Sequence, residues 1–395
     1  MTKSALDITA DVHNLSNAWQ NLYSKTSVRG RLVTGVDKIS IFDFKAKEKE
    51  TLLSISKSIK NKNYKFSPLS PKFVPKSDGG IRVICVPTTF DRIVQRALSN
   101  TLFDLGYSLN NSVNHGFVRK KSVKTAINKA IQVRDDNPWV FKVDIAAFFD
   151  KLDRGLLVNK IKKEIKHRSL HDMLIASASL EISAYKSEKR KIYDLGIVQG
   201  IGIRQGMPLS PFFANLYLKE FDEFVEREGL SVIRYADDIV GFESSQNECF
   251  ESKKKCEAKL LSIGLSIKDE KTVIASPNET VSFLGLGIAC QKSRYKAIVT
   301  DVQLKKIAER ISQYSNLEFC VRRGVNLKNV LIRLDQLVYS YETIYSEACN
   351  KSRLVDVVKS SKEKALKDLF RNNFNIDYSK LSKDKKKFLG MYSLS

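Results

Sequence analysis

Two adjacent carboxylates, Asp237 and Asp238, lie between two apolar, β-branched runs of the chain. This pattern predicts a strand, a tight turn and a second strand, with the two acids at the tip of the hairpin. Carboxylates held at the end of a sheet suit a divalent cation, because Mg²⁺ prefers hard oxygen ligands and often takes one or two carboxylates together with substrate phosphates. A bare Asp-Asp pair is more often a solvated turn, so a metal site requires partners elsewhere in the chain.

Asp144 is the first such partner. The apolar run at residues 139–143 predicts a buried strand that leads directly into this carboxylate, with Phe148 and Phe149 shortly after it. A buried strand that ends on an unpaired charge is costly, and a bound cation would remove that cost. The alternative is that Asp144 caps a helical turn, which is the role that we expect for Asp150 and Asp153.

A glycine-rich stretch, residues 200–211, precedes a long predicted helix. Gln205 and Gly206 lie within it, and glycines allow a backbone to approach a ligand closely. Ser210 is expected to cap the helix, and Pro211 suits its first turn. The stretch lacks the spacing of a phosphate-binding G-x-x-x-x-G-K-[ST] loop, and a plain helix-entry loop is the alternative.

Several basic residues occupy predicted loops. Residues 72–87 alternate around Ser-Asp-Gly-Gly and predict a β-hairpin, with Lys76 and Arg82 beside its turn. Cations at that position could grip a triphosphate, although basic hairpins are common. Thr89 or Asp91 is expected to cap the helix that follows.

A second basic loop contains Arg119, Lys120 and Lys121. These side chains could bind a phosphate backbone or simply face water. His115, shortly before them, has no second His or Cys nearby and is expected to be structural. Lys271 lies in a turn further along the chain, where a surface position is the plainest interpretation.

The composition limits the function classes. The chain has 395 residues, of which 43% are hydrophobic, and its net charge is +23. Such an excess suits a polyanionic partner, most simply nucleic acid, with an anionic membrane surface as the rival. No apolar run approaches the ~18 residues of a spanning helix, and the N-terminus lacks a signal-peptide core. The six cysteines are dispersed without a C-x-x-C pair, so we expect no zinc site and a reduced, cytoplasmic setting.

Taken together, these stretches resemble the reverse transcriptases. Seven motifs occur in that family's order between about residues 70 and 290. They are residues 74–96, His115-Gly116-Phe117-Val118-Arg119, Asp144 to Asp150, Gln205 to Pro211, Tyr235-Ala236-Asp237-Asp238, Lys271-Thr272 and Phe283-Leu284-Gly285. Thr34-Gly35-Val36-Asp37 and residues 87–92 look like the bacterial, group II intron-like branch, which includes the defence-associated enzymes.

The resemblance implies an α+β, right-hand polymerase fold with fingers, a palm built on an antiparallel sheet, and a helical thumb. On that basis we expect five regions along the chain. They are a helical N-terminal extension (1–63), fingers (64–138), a palm (139–290, with an insertion at about 155–200), a helical thumb (291–345) and a helical, basic C-terminal region (346–395).

The resemblance also implies roles for individual residues. Asp144, the Ile145 carbonyl and Asp237 would hold two Mg²⁺ ions, which Mn²⁺ could replace, and Asp238 would be the supporting carboxylate. The nucleotide would meet Lys76, Arg82, Phe149, Gln205 and Gly206. Phe149 would exclude a 2′-hydroxyl, with core packing as its alternative and Phe148 as the residue with which it could exchange roles. Lys271 is a candidate proton donor to pyrophosphate, and nucleic acid would contact Arg119, Lys120, Lys121, Tyr235, Lys305 and Lys306.

The expected activity is RNA-directed DNA synthesis from deoxynucleoside triphosphates, with an RNA template and a DNA primer or product. A structured noncoding RNA copied in antiviral defence against phage is our favoured context, and an oligomer is compatible with it. The alternatives are untemplated or protein-primed DNA synthesis by the same fold, an intron maturase, and a nonenzymatic RNA-binding scaffold. Two departures from the family pattern stand out: Arg204 replaces the usual Pro before Gln-Gly, and His115 replaces a Tyr.

Overall fold

The computed structural model describes residues 3–76 and 79–389, the side chains of Lys271 and Lys387 apart. The chain forms two compact units. The first comprises Met1–Ala126, Phe141–Gly241 and Asn247–Val273, and the second comprises Ile127–Val140, Phe242–Gln246 and Ile274–Ser395. The division into two units does not test the five expected regions, which remain a prediction.

The N-terminal extension is helical, as predicted. Its helices are α1 (Ala5–Thr9), α2 (Val12–Lys25), α3 (Ile41–Ala46) and α4 (Glu48–Lys60). Capping boxes begin α1 at Ser4 and α3 at Ser40, which satisfies amide groups that a helix start leaves unbonded. The apolar face of α2 is fully buried through Leu15, Trp19 and Leu22.

The predicted basic hairpin is confirmed. Strands β1 (Ser70–Pro75) and β2 (Ile81–Val86) pair antiparallel, and Ser77 and Asp78 of its turn lie outside the described residues. Helix α5 (Thr89–Asp104) follows. Its cap is Thr88, whose hydroxyl accepts a bond from the Asp91 amide at 3.1 Å. The expectation of Thr89 or Asp91 as the cap was wrong by one to three residues, because the extended backbone of Thr88 places its side chain over the helix start.

The middle of the chain alternates helices with one strand. In order these are α6 (Val123–Asp136), β3 (Trp139–Asp144), α7 (Phe148–Lys151), α8 (Arg154–Glu164), α9 (His171–Ala178), α10 (Lys186–Asp194) and α11 (Ser210–Arg227). Asp153 caps α8 as predicted. Asp150 lies inside α7 and does not cap it. Ser210 is the first residue of α11 and not its cap, because its hydroxyl donates to the Arg204 carbonyl at 2.7 Å.

The predicted Asp-Asp hairpin is also confirmed. It consists of β4 (Val232–Tyr235) and β5 (Asp238–Glu243), followed by α12 (Gln246–Ser262) and β6 (Val273–Ala275). These strands form a sheet of order β4-β5-β3-β6. This order places the carboxyl end of β3, where Asp144 lies, beside the start of β5. The sheet therefore supports the site from two separate segments of the chain.

The second unit begins its own sheet with β7 (Val281–Phe283), β8 (Leu286–Gln291) and β9 (Arg294–Ile298), paired in sequence order. Helices α13 (Asp301–Ser312), α14 (Leu317–Arg322), α15 (Leu327–Ile344), α16 (Lys351–Phe374) and α17 (Lys383–Phe388) follow. Within this unit α16 packs against α13 and α15, and its buried Lys362 pairs with Asp335 of α15. Among the described residues, no helix is long and apolar enough to cross a membrane.

Candidate active site

The tip of the β4–β5 hairpin is a two-residue turn. Tyr235 pairs with Asp238 across the strands, so Ala236 and Asp237 form the turn itself. Ala236 has φ +57°, a left-handed conformation that costs a non-glycine residue on the order of 1–3 kcal/mol. Its surroundings hold this conformation in place, and the turn presents the Asp237 side chain at the end of the sheet.

The structure brings Asp144 and Asp237 together. The amide of Ile145, directly after Asp144, donates to the Asp237 carbonyl at 3.4 Å, and the Asp144 carbonyl accepts from the Lys268 amide at 2.9 Å. Lys268 also places its ammonium 3.7 Å from the Asp144 carboxylate. The two acids that the sequence separates by more than ninety positions therefore lie side by side.

Burial and mutual repulsion act on these carboxylates. Burial raises the pKa of Asp237, and the nearby charge of Asp144 raises it further. Burial likewise raises the pKa of Asp238, although the Lys142 ammonium opposes this effect. Lys142 lies 3.2 Å from the Asp238 carboxylate. The site therefore concentrates negative charge that a divalent cation would neutralise.

The donor set fits a metal that is completed by substrate. No group of three or more His, Cys, Asp or Glu side chains within residues 3–76 and 79–389 is arranged to hold a metal ion by itself. Asp144 and Asp237 supply two carboxylates, which is the usual protein share for Mg²⁺ when substrate phosphates provide further oxygens. Asp238 faces Lys142 instead, which agrees with a supporting position for that residue.

A cavity of about 450 Å³ is lined by Asp237 of this pair and by Ile145, which directly follows Asp144. Its lining combines Asp237 with the cations Lys76, Arg82 and Lys268, and Phe149 forms part of its wall. Phe148 is 2% exposed and belongs to the core, whereas Phe149 is half-buried. Both aromatic residues line the cavity, and Phe149 is the more exposed of the two.

The glycine-rich loop closes another wall of the cavity. Gly206 has φ +106°, and a Cβ there would lie 2.6 Å from the Cys85 carbonyl of β2, so only glycine allows this approach. The Cys85 amide donates to the Gln205 carbonyl at 2.7 Å. Arg204 is 2% exposed and pairs with Glu181 at 2.7 Å. Arg204, the residue that departs from the family pattern, therefore forms a buried ion pair that connects the loop to the preceding insertion.

Sequence reasoning missed two features near the site. A second cavity, of about 530 Å³, shares Phe149 and Gln205 with the first and is lined by Arg92 and Arg96 of α5; their four-residue spacing on a helix was the available signal. Arg234 is fully buried beside the Ala236–Asp237 turn. A charged residue inside an apolar strand is unusual, and that signal was also present in the sequence.

The remaining predicted contact residues are dispersed. The Lys121 ammonium donates to the carbonyls of Asn111 and Asn114, so it stabilises its own loop. Arg119 stacks 3.4 Å from the centre of the Phe103 ring. Lys120 is exposed and Tyr235 half-buried. Exposed positions on α13 of the second unit carry Lys305 and Lys306, and the side chain of Lys271 lies outside the described residues.

Comparison with known proteins defines the class. Residues 74–288, just over half of the chain, match the family model described as reverse transcriptase (RNA-dependent DNA polymerase). The chain therefore belongs to the reverse transcriptase family. This confirms the family and the right-hand polymerase fold expected from the sequence.

Individual relatives agree with a group II-like branch. The chain is 28% identical over 214 residues to the group II intron-encoded protein LtrA of Lactococcus lactis subsp. cremoris, covering 53% of this chain and 33% of that protein. It is 23% identical to the COX1/OXI3 intron 2 protein of Saccharomyces cerevisiae, covering 89% of this chain and 46% of the relative. The chain thus spans less than half the length of these relatives. A solved apo telomerase from Candida tropicalis, truncated from its C-terminal domain, matches 61% of this chain and 58% of its own at 17% identity, with a TM-score of 0.41.

Proposed function

We propose that this protein is an RNA-directed DNA polymerase that adds deoxynucleotides to a primer at the Asp144–Asp237 site. The single observation that supports this most strongly is the meeting of these carboxylates beside a cavity lined by Lys76 and Arg82. Negative charge for metal ions and positive charge for a triphosphate then lie around one space. This is the division of charge that nucleotidyl transfer requires.

In the proposed reaction the primer 3′-oxygen attacks the α-phosphorus of the nucleotide. A new P–O bond forms, the bond to the β-phosphate breaks, and pyrophosphate leaves. Asp144, Asp237 and the Ile145 carbonyl would hold divalent ions, two Mg²⁺ by analogy with other nucleotidyl transferases. When bound, these ions lower the pKa of the attacking hydroxyl and neutralise charge on the leaving group.

The other residues position the nucleotide and select its sugar. Lys76 and Arg82 neutralise the triphosphate, since guanidinium and ammonium groups bind phosphate oxygens strongly. The Phe149 ring lies against the sugar and leaves no room for a 2′-hydroxyl, while Gln205 and Gly206 line the base-pair side. Lys271 remains a candidate proton donor to pyrophosphate. Lys268 lines the cavity and is an alternative candidate for that role.

Single-nucleotide extension of a DNA primer on an RNA template tests this function. Asp237→Ala should abolish incorporation while the thermal unfolding transition is retained. Asp194→Ala, an exposed carboxylate at the end of α10, is the matched control and should remain active. Incorporation by the Asp237 variant at the wild-type rate would refute the site.

A role in phage defence with a structured noncoding RNA as template is the biological context that we propose. Its support is the resemblance of the motifs to the defence-associated bacterial enzymes. Sequencing the RNA and DNA that copurify with the protein tests it. A single recurrent RNA with complementary DNA would support it, whereas DNA without a complementary RNA would favour untemplated synthesis.

A further inference from the structure

The catalytic turn rests on a buried polar network that the catalytic roles above do not use. Arg234, the third residue of β4, is 0% exposed and Asp222 of α11 is 1% exposed. The guanidinium Nε donates to Asp222 Oδ1 at 2.7 Å, and Nη2 donates to Oδ2 at 2.5 Å. This is a bidentate pair, the geometry in which arginine binds a carboxylate most strongly.

The remaining edge of the guanidinium reaches the turn. Its Nη1 donates to the Ala236 carbonyl at 3.1 Å and to Asn215 Oδ1 at 3.2 Å. Asn215 in turn donates to the Gly116 carbonyl at 2.9 Å. Arg234 thus connects α11 to the peptide group that immediately precedes Asp237.

The backbone around Arg234 is fixed as well. Its amide donates to the Val113 carbonyl at 2.9 Å, and its carbonyl accepts from the His115 amide at 2.8 Å. Asn111, in the same loop, donates its side-chain amide to Asp222 at 3.0 Å. The side chain and the main chain of Arg234 are therefore both held, so the guanidinium has little freedom to leave the Ala236 carbonyl.

We propose that Arg234 is a positioning residue for nucleotidyl transfer. By holding the Ala236 carbonyl, it sets the orientation of the Ala236–Asp237 peptide and hence the direction of the Asp237 carboxylate toward the metal ions. This inference rests on the proposed function of the site. A buried ion pair adds little net stability compared with apolar residues of the same volume, so a fixed peptide orientation is what distinguishes this network from a plain apolar core.

The decisive variant removes the network without leaving a buried charge. In the double variant Arg234→Met with Asp222→Leu, apolar side chains replace the pair, a change that is often neutral or stabilising. The Ala236 carbonyl and the side chains of Asn111 and Asn215 also lose a partner, at about 1–3 kcal/mol for each group left unsatisfied. We therefore expect a lower melting temperature but a cooperative unfolding transition that stays above the assay temperature. Its kcat for single-nucleotide incorporation should nevertheless fall about 10- to 100-fold, as a misplacement near 1 Å can do, with the nucleotide KM changed less than threefold.

Metal binding supplies a readout that does not depend on turnover. Mg²⁺ should raise the melting temperature of the wild type, because a ligand of the folded state stabilises it. In the double variant this rise should require a higher Mg²⁺ concentration. Arg234→Lys, which keeps the charge but loses the fork geometry, should show the same two effects and serves if the double variant does not fold.

A matched control lies on α11, the helix that carries Asp222. Lys160 of α8 is buried and pairs at 2.8 Å with Glu220 of α11, which is 41% exposed. Lys160→Met with Glu220→Leu therefore also replaces an ion pair by apolar side chains, at a less buried position away from the turn. Wild-type kcat and Mg²⁺ response in the Arg234 double variant would overturn the positioning role. An equal kcat loss in the Lys160 control would do so too. Neither result would affect the proposed function, which the Asp237 variant tests separately.

Discussion

Gly116 offers the sharpest test of how tightly the catalytic turn is held. This residue lies in the loop beside β4, and its backbone does not occupy the left-handed region, so alanine is conformationally allowed. A Cβ added there would nevertheless lie 2.5 Å from the Ala236 amide nitrogen and 3.1 Å from the Tyr235 carbonyl carbon. Gly116→Ala therefore perturbs the turn by contact alone.

The size of the effect follows from these distances. Ordinary contact with a Cβ begins at 3.4 Å, against the 2.5 Å found here, so the turn and the loop must separate by about 1 Å. Both partners are backbone, and neither can rotate away as a side chain would. Since a displacement of about 1 Å can lower a catalytic rate about 10²-fold, we expect kcat to fall by roughly that factor, together with a stability loss of about 1–3 kcal/mol from overpacking.

The assay is single-turnover incorporation of one nucleotide, accompanied by thermal unfolding. Gly155→Ala is the matched control, because Gly155 lies in α8 and its Cβ would meet only the Asp153 side chain, at 3.1 Å. That change should leave the rate unaltered. Alanine favours the helix by up to about 1 kcal/mol, and crowding of the Asp153 oxygen that caps α8 opposes this gain, so we expect a stability change below about 1 kcal/mol. Full activity of Gly116→Ala at unchanged KM would show that the turn tolerates displacement, and the reasoning about its rigidity would be wrong.

Three further predictions concern the cavity and its walls. Phe149→Ala should increase ribonucleotide incorporation relative to deoxynucleotides, because the half-buried ring lines the cavity on the side that we propose for the sugar; unchanged discrimination in competition assays would exclude a gate. Asp237→Asn should raise the melting temperature of the metal-free protein at pH 7, because burial raises the pKa of Asp237 and the charged form is disfavoured in the folded state. This gain should disappear as the pH falls toward the ordinary carboxyl value of 3.8, and scans in chelator at several pH values would check it. Glu181→Gln should lower the free energy of unfolding by about 3 kcal/mol in denaturant titrations, since it leaves the buried guanidinium of Arg204 without its carboxylate. A decrease below about 1 kcal/mol would contradict a stabilising role for this ion pair.

The elements that carry the acids could be predicted because their signals are local. The hairpin around Asp237 and the strand before Asp144 are short apolar runs bounded by turn residues, and the basic hairpin alternates around its turn. Both patterns predict strands from neighbouring residues alone. Helix caps were less secure. Thr88, Thr89 and Asp91 all have capping side chains, and only the backbone conformation of Thr88 decides among them.

The sequence could not predict contacts between residues that are far apart in the chain. Nothing local indicates that Arg234 faces Asp222, or that Lys142 pairs with Asp238, because these contacts depend on how a helix and three strands pack. The same reason explains Lys121, whose charge suggested a ligand contact, whereas the folded loop uses it to bind its own carbonyls. Charge in a sequence indicates a capacity to bind, and packing determines the partner.

Arg204 makes the glycine-rich loop sensitive to substitutions in another segment of the chain. A proline would stiffen this loop through its own ring, independently of the rest of the chain. Here a carboxylate in another segment stabilises the loop, because Glu181 forms ion pairs with both Arg204 and Arg154. If the loop binds the nucleotide as we propose, changes in the insertion that disturb Glu181 should alter nucleotide affinity from outside the cavity. The insertion is then a region through which evolution or engineering can adjust the proposed activity.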